Sequence, residues 1–102
     1  MQMPWSEWFR FKRNRTKPGV LESWAVLLYT RQGCHLCDTA LELLEAARMR
    51  YGFSLESVDV DSDPKLTSAY GMDVPVVSIN GRVRFRGVIN VVLLQRVFDA
   101  GA

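Results

Sequence analysis

Five consecutive apolar residues, Ala25-Val26-Leu27-Leu28-Tyr29, interrupt an otherwise mixed sequence without any alternation of polar positions. Such a run reads as a β-strand with both faces covered, and so places a sheet between layers of other structure. Neither it nor the second apolar run, Val91–Leu94, approaches the roughly 20 residues a membrane-crossing helix needs. Thr30-Arg31-Gln32-Gly33 then reads as a loop. Beyond it Leu36, Ala40, Leu43, Leu44 and Ala47 recur at helical spacing, with Asp38 in the first turn and Arg48 and Arg50 in the last. Those charges complement the helix dipole at both ends, and Gly52 is the predicted stop.

The next segment, Phe53–Asp61, is predicted as a second strand, although the step from Leu55 to Val58 breaks strict alternation and suggests a bulge or a shifted start. Asp63-Pro64 supplies a cap and a first helical residue, with two turns through Leu66, Ala69 and Tyr70 ending at Gly71. Asn80-Gly81 between Val76–Ile79 and Arg82–Arg86 predicts a hairpin. In its second strand Arg82, Arg84 and Arg86 are expected on one side and Val83 and Phe85 on the other. Charges so placed discourage edge-to-edge aggregation, and docking of an acidic partner is their other use. A last helix is expected after Asn90, with Leu94, Val97 and Phe98 inward and Gln95, Arg96 and Asp99 outward. The order β-α-β-α-β-β-α implies a right-handed parallel βαβ unit extended by an antiparallel hairpin. The expected class is therefore α/β, a four-stranded mixed sheet flanked by helices.

A chain of 102 residues has room for one such domain, placed at 24–102. The turn signal Lys17-Pro18-Gly19 sets off residues 1–23 as a basic aromatic N-terminal extension. There Trp5, Trp8 and Phe9 stand at helical spacing before Arg10, Lys12 and Arg13. This suits either a loosely packed arm or a short amphipathic helix touching an anionic membrane or a partner's groove. No apolar signal core follows, so a cytoplasmic location is expected. Net charge is +2, with five basic and two acidic residues in the extension, which leaves the remainder at −1. The domain therefore offers no basic surface for nucleic acid.

Two cysteines, Cys34 and Cys37, are too few for the disulfide framework of a secreted mini-protein. Cys34 falls where the first helix begins, and backbone N–H groups and the dipole there favour a thiolate below the free pKa of about 8.5. Cys37, one turn on, can reach the same sulfur. With His35 the pair falls short of a four-ligand zinc site within one chain, so no bound metal is expected. Incidental buried cysteines are the bland alternative, and a redox pair is the reading the strand-to-helix position favours. A cation at His35 would stabilise the thiolate and make the couple more oxidising.

The stretch from Leu28 to Cys37, the Asp59-Val60-Asp61 strand end and the Val74-Pro75-Val76 step together resemble the thioredoxin superfamily. The likeness is greatest to small bacterial glutaredoxin-like proteins with a Cys-His-Leu-Cys site, and covers about residues 25–98. This resemblance implies a thioredoxin fold and a thiol–disulfide oxidoreductase with Cys34 as nucleophile and Cys37 as resolving thiol. It implies a cis-proline at Pro75, a substrate-pairing backbone at Val74, and Arg31 as a cation for glutathione or another thiol substrate. It further implies a disulfide-containing client or glutathione as partner, glutathione or a reductase as reductant, no bound cofactor, and a monomer. Two departures stand out: Asp73, where glutathione-using glutaredoxins have Thr, and Arg86-Gly87-Val88-Ile89-Asn90 in place of a Gly-Gly-x-Asp turn. A non-catalytic thioredoxin-fold module that senses redox state or shares a metal or iron–sulfur cluster between chains is the alternative.

Overall fold

Strand β1 (Ala25–Thr30) is central, as its uninterrupted apolar run requires, and the computed structural model describes residues 20–101 around it. Helix α1 (His35–Tyr51) follows, then β2 (Ser54–Asp59), a 3₁₀ turn (Val60–Ser62), α2 (Pro64–Tyr70), the hairpin β3 (Val76–Ile79) and β4 (Arg82–Arg86), and α3 (Val91–Gly101). The sheet order is β2-β1-β3-β4, with β1 parallel to β2 and antiparallel to β3, and β3 antiparallel to β4. This is the expected mixed α/β sheet. No helix among the described residues is long and apolar enough to cross a membrane. The Trp5, Trp8 and Phe9 segment lies outside the described residues.

The main core lies on one face of the sheet. Val26, Leu28, Val77 and Ile79 meet Ala40, Leu43, Leu44, Ala47 and Tyr51 of α1 and Leu94 and Phe98 of α3. Phe53 stacks on Phe98 with ring centroids 4.8 Å apart. On the opposite face α2 covers the sheet more lightly, Tyr70 packing on Tyr29 at 4.6 Å. Leu21, expected in the extension, is 1% exposed within the core, and its N–H donates to Tyr51 O at 2.8 Å. The packed fold therefore begins before residue 24.

Several local expectations need correction. The β1–β2 register runs from Ala25↔Ser54 to Thr30↔Asp59 without a shift, so Leu55 and Val58 mark no bulge. They lie on opposite faces, Leu55 packing on the main core and Val58 beside Tyr29, because both faces are covered. The strand also stops at Asp59, whose carboxylate accepts the Asp61 N–H at 2.9 Å and caps the 3₁₀ turn. A register shift falls instead between Val77 and Ser78, where Phe85 opposes Val77 and Val83 opposes Ser78, leaving Arg84 as the extra residue. The pairing alone is irregular there: Arg82, Arg84 and Arg86 are exposed and Val83 and Phe85 half-buried, the alternation expected for β4. In α3, Asn90 caps the helix as expected, its Oδ1 accepting the Leu93 N–H at 3.1 Å. Gln95, however, is 4% exposed: its Nε2 donates to Tyr51 Oη (2.6 Å) and Asp99 Oδ2 (2.9 Å), while Tyr51 Oη donates to Asp99 Oδ1. Polar partners on α1 and α3 let an amide occupy a position that patterning assigns to solvent.

Candidate active site

Pairing of Tyr29 with Val76 brings the end of β1 and the start of β3 to one edge of the molecule. The loop leaving β1 carries Arg31 to Cys34, and the chain entering β3 carries Val74 and Pro75. Cys34 is the N-cap of α1, in extended conformation, and its Sγ accepts the Cys37 N–H at 3.1 Å. The two sulfurs form a disulfide with Cα atoms 5.2 Å apart, inside the range such bonds require. Cys34 is partly exposed, whereas Cys37 is 3% exposed beneath the first turn. Cys37 takes the inward position expected of Leu36, which is 51% exposed. Leu36 opens instead onto a groove with Val88, Ile89 and Val91.

The other sequence-picked residues gather at this edge. Val74–Pro75 is a cis peptide bond, Val74 half-buried and Pro75 buried. His35 is exposed in the first turn of α1, and its carbonyl accepts the Thr39 hydroxyl at 3.3 Å. Arg31 is held by two partners. Its Nε and Nη2 donate to the two carboxylate oxygens of Asp61, both at 3.0 Å, and its Nη1 donates to Gly71 O at 3.1 Å. The hydrogen bond to Asp61 and that residue's charge raise the Arg31 pKa still further. Arg31 O in turn accepts the Cys34 N–H at 3.3 Å, so one residue ties the cysteine loop to the end of α2.

A second cation, not picked out as a site residue in the sequence, stands across the edge. Arg86 Nη1 donates to Asp73 Oδ2 at 2.9 Å, and its guanidinium lies 5.3 Å from the Tyr70 ring centroid. Gly87 N–H donates to both Asp73 O (2.9 Å) and Pro75 O (2.8 Å), bracing the cis-proline loop against the end of β4. The opposite charges of Asp73 and Arg86 are visible as residue types, but their pairing depends on the hairpin register. Among the described residues, no group of three or more His, Cys, Asp or Glu side chains is arranged to hold a metal ion.

A thioredoxin fold with a bonded Cys-x-x-Cys pair at the start of its first helix and a cis-proline at the same edge defines a class of redox proteins. The family model of the glutaredoxin-like domain (DUF836) matches residues 25–98, and the chain belongs to this family. A relative described as a probable thioredoxin, from Methanothermobacter thermautotrophicus, is 35% identical over 63 residues, 59% of this chain and 74% of the relative. Among solved structures, a structural-genomics target protein from X. campestris is 38% identical with a TM-score of 0.60, covering 74% of this chain and 96% of that one. A thioredoxin from Halobacterium salinarum, 19% identical, shares the fold with a TM-score of 0.58 over 79% of this chain and 78% of its own. Family, fold and cysteine pair together support a redox role.

Proposed function

We propose that the protein is a thiol–disulfide oxidoreductase in which Cys34 is the nucleophile and Cys37 the resolving thiol. The observation that carries this reading is the asymmetry of the pair: Cys34 reaches solvent at a helix N-terminus, while Cys37 is buried one turn behind it. In the reduced protein the Cys34 thiolate, favoured by the helix N-terminus, attacks a client disulfide. A Cys34–client disulfide forms and the client's other sulfur leaves as a thiolate that takes up a proton. Cys37 then loses its proton and attacks Cys34 Sγ, the mixed disulfide breaks, and the client's second sulfur leaves. The client gains two electrons and two protons, and the protein ends with the Cys34–Cys37 bond. An external thiol or a thioredoxin-type reductase restores the dithiol.

Within this reading the Val74 backbone pairs with the substrate chain next to Pro75, and His35 tunes the couple. No metal or organic group enters the cycle. The test is a pair of variants assayed for dithiothreitol-driven reduction of insulin. Cys34→Ser is expected to fall to the uncatalysed rate, and Cys37→Ser to accumulate a mixed disulfide visible by intact mass. A fully active Cys34→Ser protein sinks the assignment.

A further inference from the structure

Three segments share the end of the sheet that carries the Cys34–Cys37 pair: residues 31–34, 71–75 and 87–90. Among the exposed side chains on and beside them are three large apolar ones, Met72 at 94%, Val88 at 76% and Leu36 next to Cys34, set among the polar Gln32, His35, Asp73 and Asn90. Leu36, Val88, Ile89 and Val91 line a groove of about 110 Å³. The Gly87–Asp73 hydrogen bond brings the Val88 loop against the loop that carries Met72. The arginines in or bordering these segments are Arg31 and Arg86. Each already faces a carboxylate of the chain itself, Arg31 in a two-point pair with Asp61 and Arg86 with Asp73.

Building on the oxidoreductase reading above, we propose that this rim selects an uncharged, apolar segment of a client protein beside its disulfide and discriminates against glutathione. Asp61 and Asp73 are the specificity-determining residues. Glutathione carries two carboxylates, and to seat them the site must either break an internal ion pair or set an anion beside Asp73. Both raise the free energy of the wrong complex, which is how specificity by exclusion works. An apolar segment meets no such obstacle, and it removes from water the Met72, Val88 and Leu36 surface that the fold leaves open. The unbranched Met72 can adapt to clients of different shape.

The full-length protein is assayed with dithiothreitol as electron source against two probes, insulin and the mixed disulfide of glutathione with 2-mercaptoethanol, each rate taken above the uncatalysed one. The wild-type protein is expected to show the higher kcat/KM on insulin. Asp73→Asn, which releases Arg86 beside Tyr70, is expected to raise the glutathione-to-insulin rate ratio about fivefold, the scale of one exposed charge pairing. Adding Arg86→Gln is expected to cancel that gain. Val88→Gln, which removes apolar surface without adding charge at a position the core does not need, is expected to lower the insulin rate and to change the glutathione rate by less than about twofold. A wild-type preference for the glutathione probe, or an unchanged ratio in Asp73→Asn, overturns the selectivity while leaving the dithiol chemistry standing. Acceleration of neither probe removes both readings together.

Discussion

Arg31 shows how much one side chain can organise near the cysteines. Its guanidinium satisfies Asp61 and Gly71 O at once while its backbone carbonyl holds the Cys34 N–H. Only a planar fork can make the two-point carboxylate contact, so Arg31→Lys keeps the charge and loses the geometry. Both Arg31→Lys and Arg31→Ala are expected to lower the thermal midpoint, with lysine recovering less than half of the loss; full recovery by lysine would show that charge alone matters. The residue was legible in the sequence as a cation near the cysteines. Its partner was not, because Asp61 lies 30 positions away and meets Arg31 only once β1 and β2 are aligned. The Cys34–Cys37 pair was legible because its members are three residues apart on one helix turn, where local geometry alone decides contact.

At the level of elements, helix ends are where local chemistry decides most. Asn90 caps α3 through its side-chain oxygen, and Asn90→Ala is expected to cost about 0.5–2 kcal/mol in urea unfolding. Gly52 ends α1 in the left-handed region at φ 82°, with its N–H on Arg48 O at 2.8 Å. A Cβ there is strained, so Gly52→Ala is expected to cost about 1–2 kcal/mol. Caps, turn residues and the Asn80-Gly81 hairpin carry their instructions within a few residues, which is why the sequence reveals them. The two β-strand irregularities could not be placed the same way. A break in alternation such as that from Leu55 to Val58 looks alike whether a strand bulges or is covered on both faces, while the irregularity at Arg84 falls in a strand whose alternation is unbroken, so only the pairing reveals it.

On the scale of the whole molecule, the core joins one sheet face to α1 and α3, and the hydrogen bonds among buried Tyr51, buried Gln95 and exposed Asp99 bridge those helices at its margin. Leu44, fully buried in the middle of α1, contributes there through packing, and Leu44→Ala is expected to cost about 2–5 kcal/mol by denaturant titration. The cluster adds a pH dependence. Burial first, and then the hydrogen bond to Asp99, raise the Tyr51 pKa above 10.0, and burial raises that of Tyr29 in the same direction. Above the ordinary tyrosine pKa of about 10 the unfolded chain has released protons that the folded protein still holds. Stability contributed by these phenols is thus complete below that pH and is lost as pH rises through the folded values. Urea midpoints of the oxidised protein are expected to fall from pH 9 to 11, less steeply in Tyr51→Phe; identical slopes would remove Tyr51 from the explanation.

The redox cycle itself is tested most directly by equilibrating the two cysteines against graded dithiothreitol redox buffers, trapping free thiols with an alkylating agent, and reading the protein by intact mass. Cycling through Cys34 and Cys37 requires a single reversible two-electron transition, doubly alkylated to unalkylated, with a midpoint between about −200 and −270 mV, the span from glutaredoxins to thioredoxin. Cysteines that stay fully alkylated or fully bonded across that whole range would contradict it.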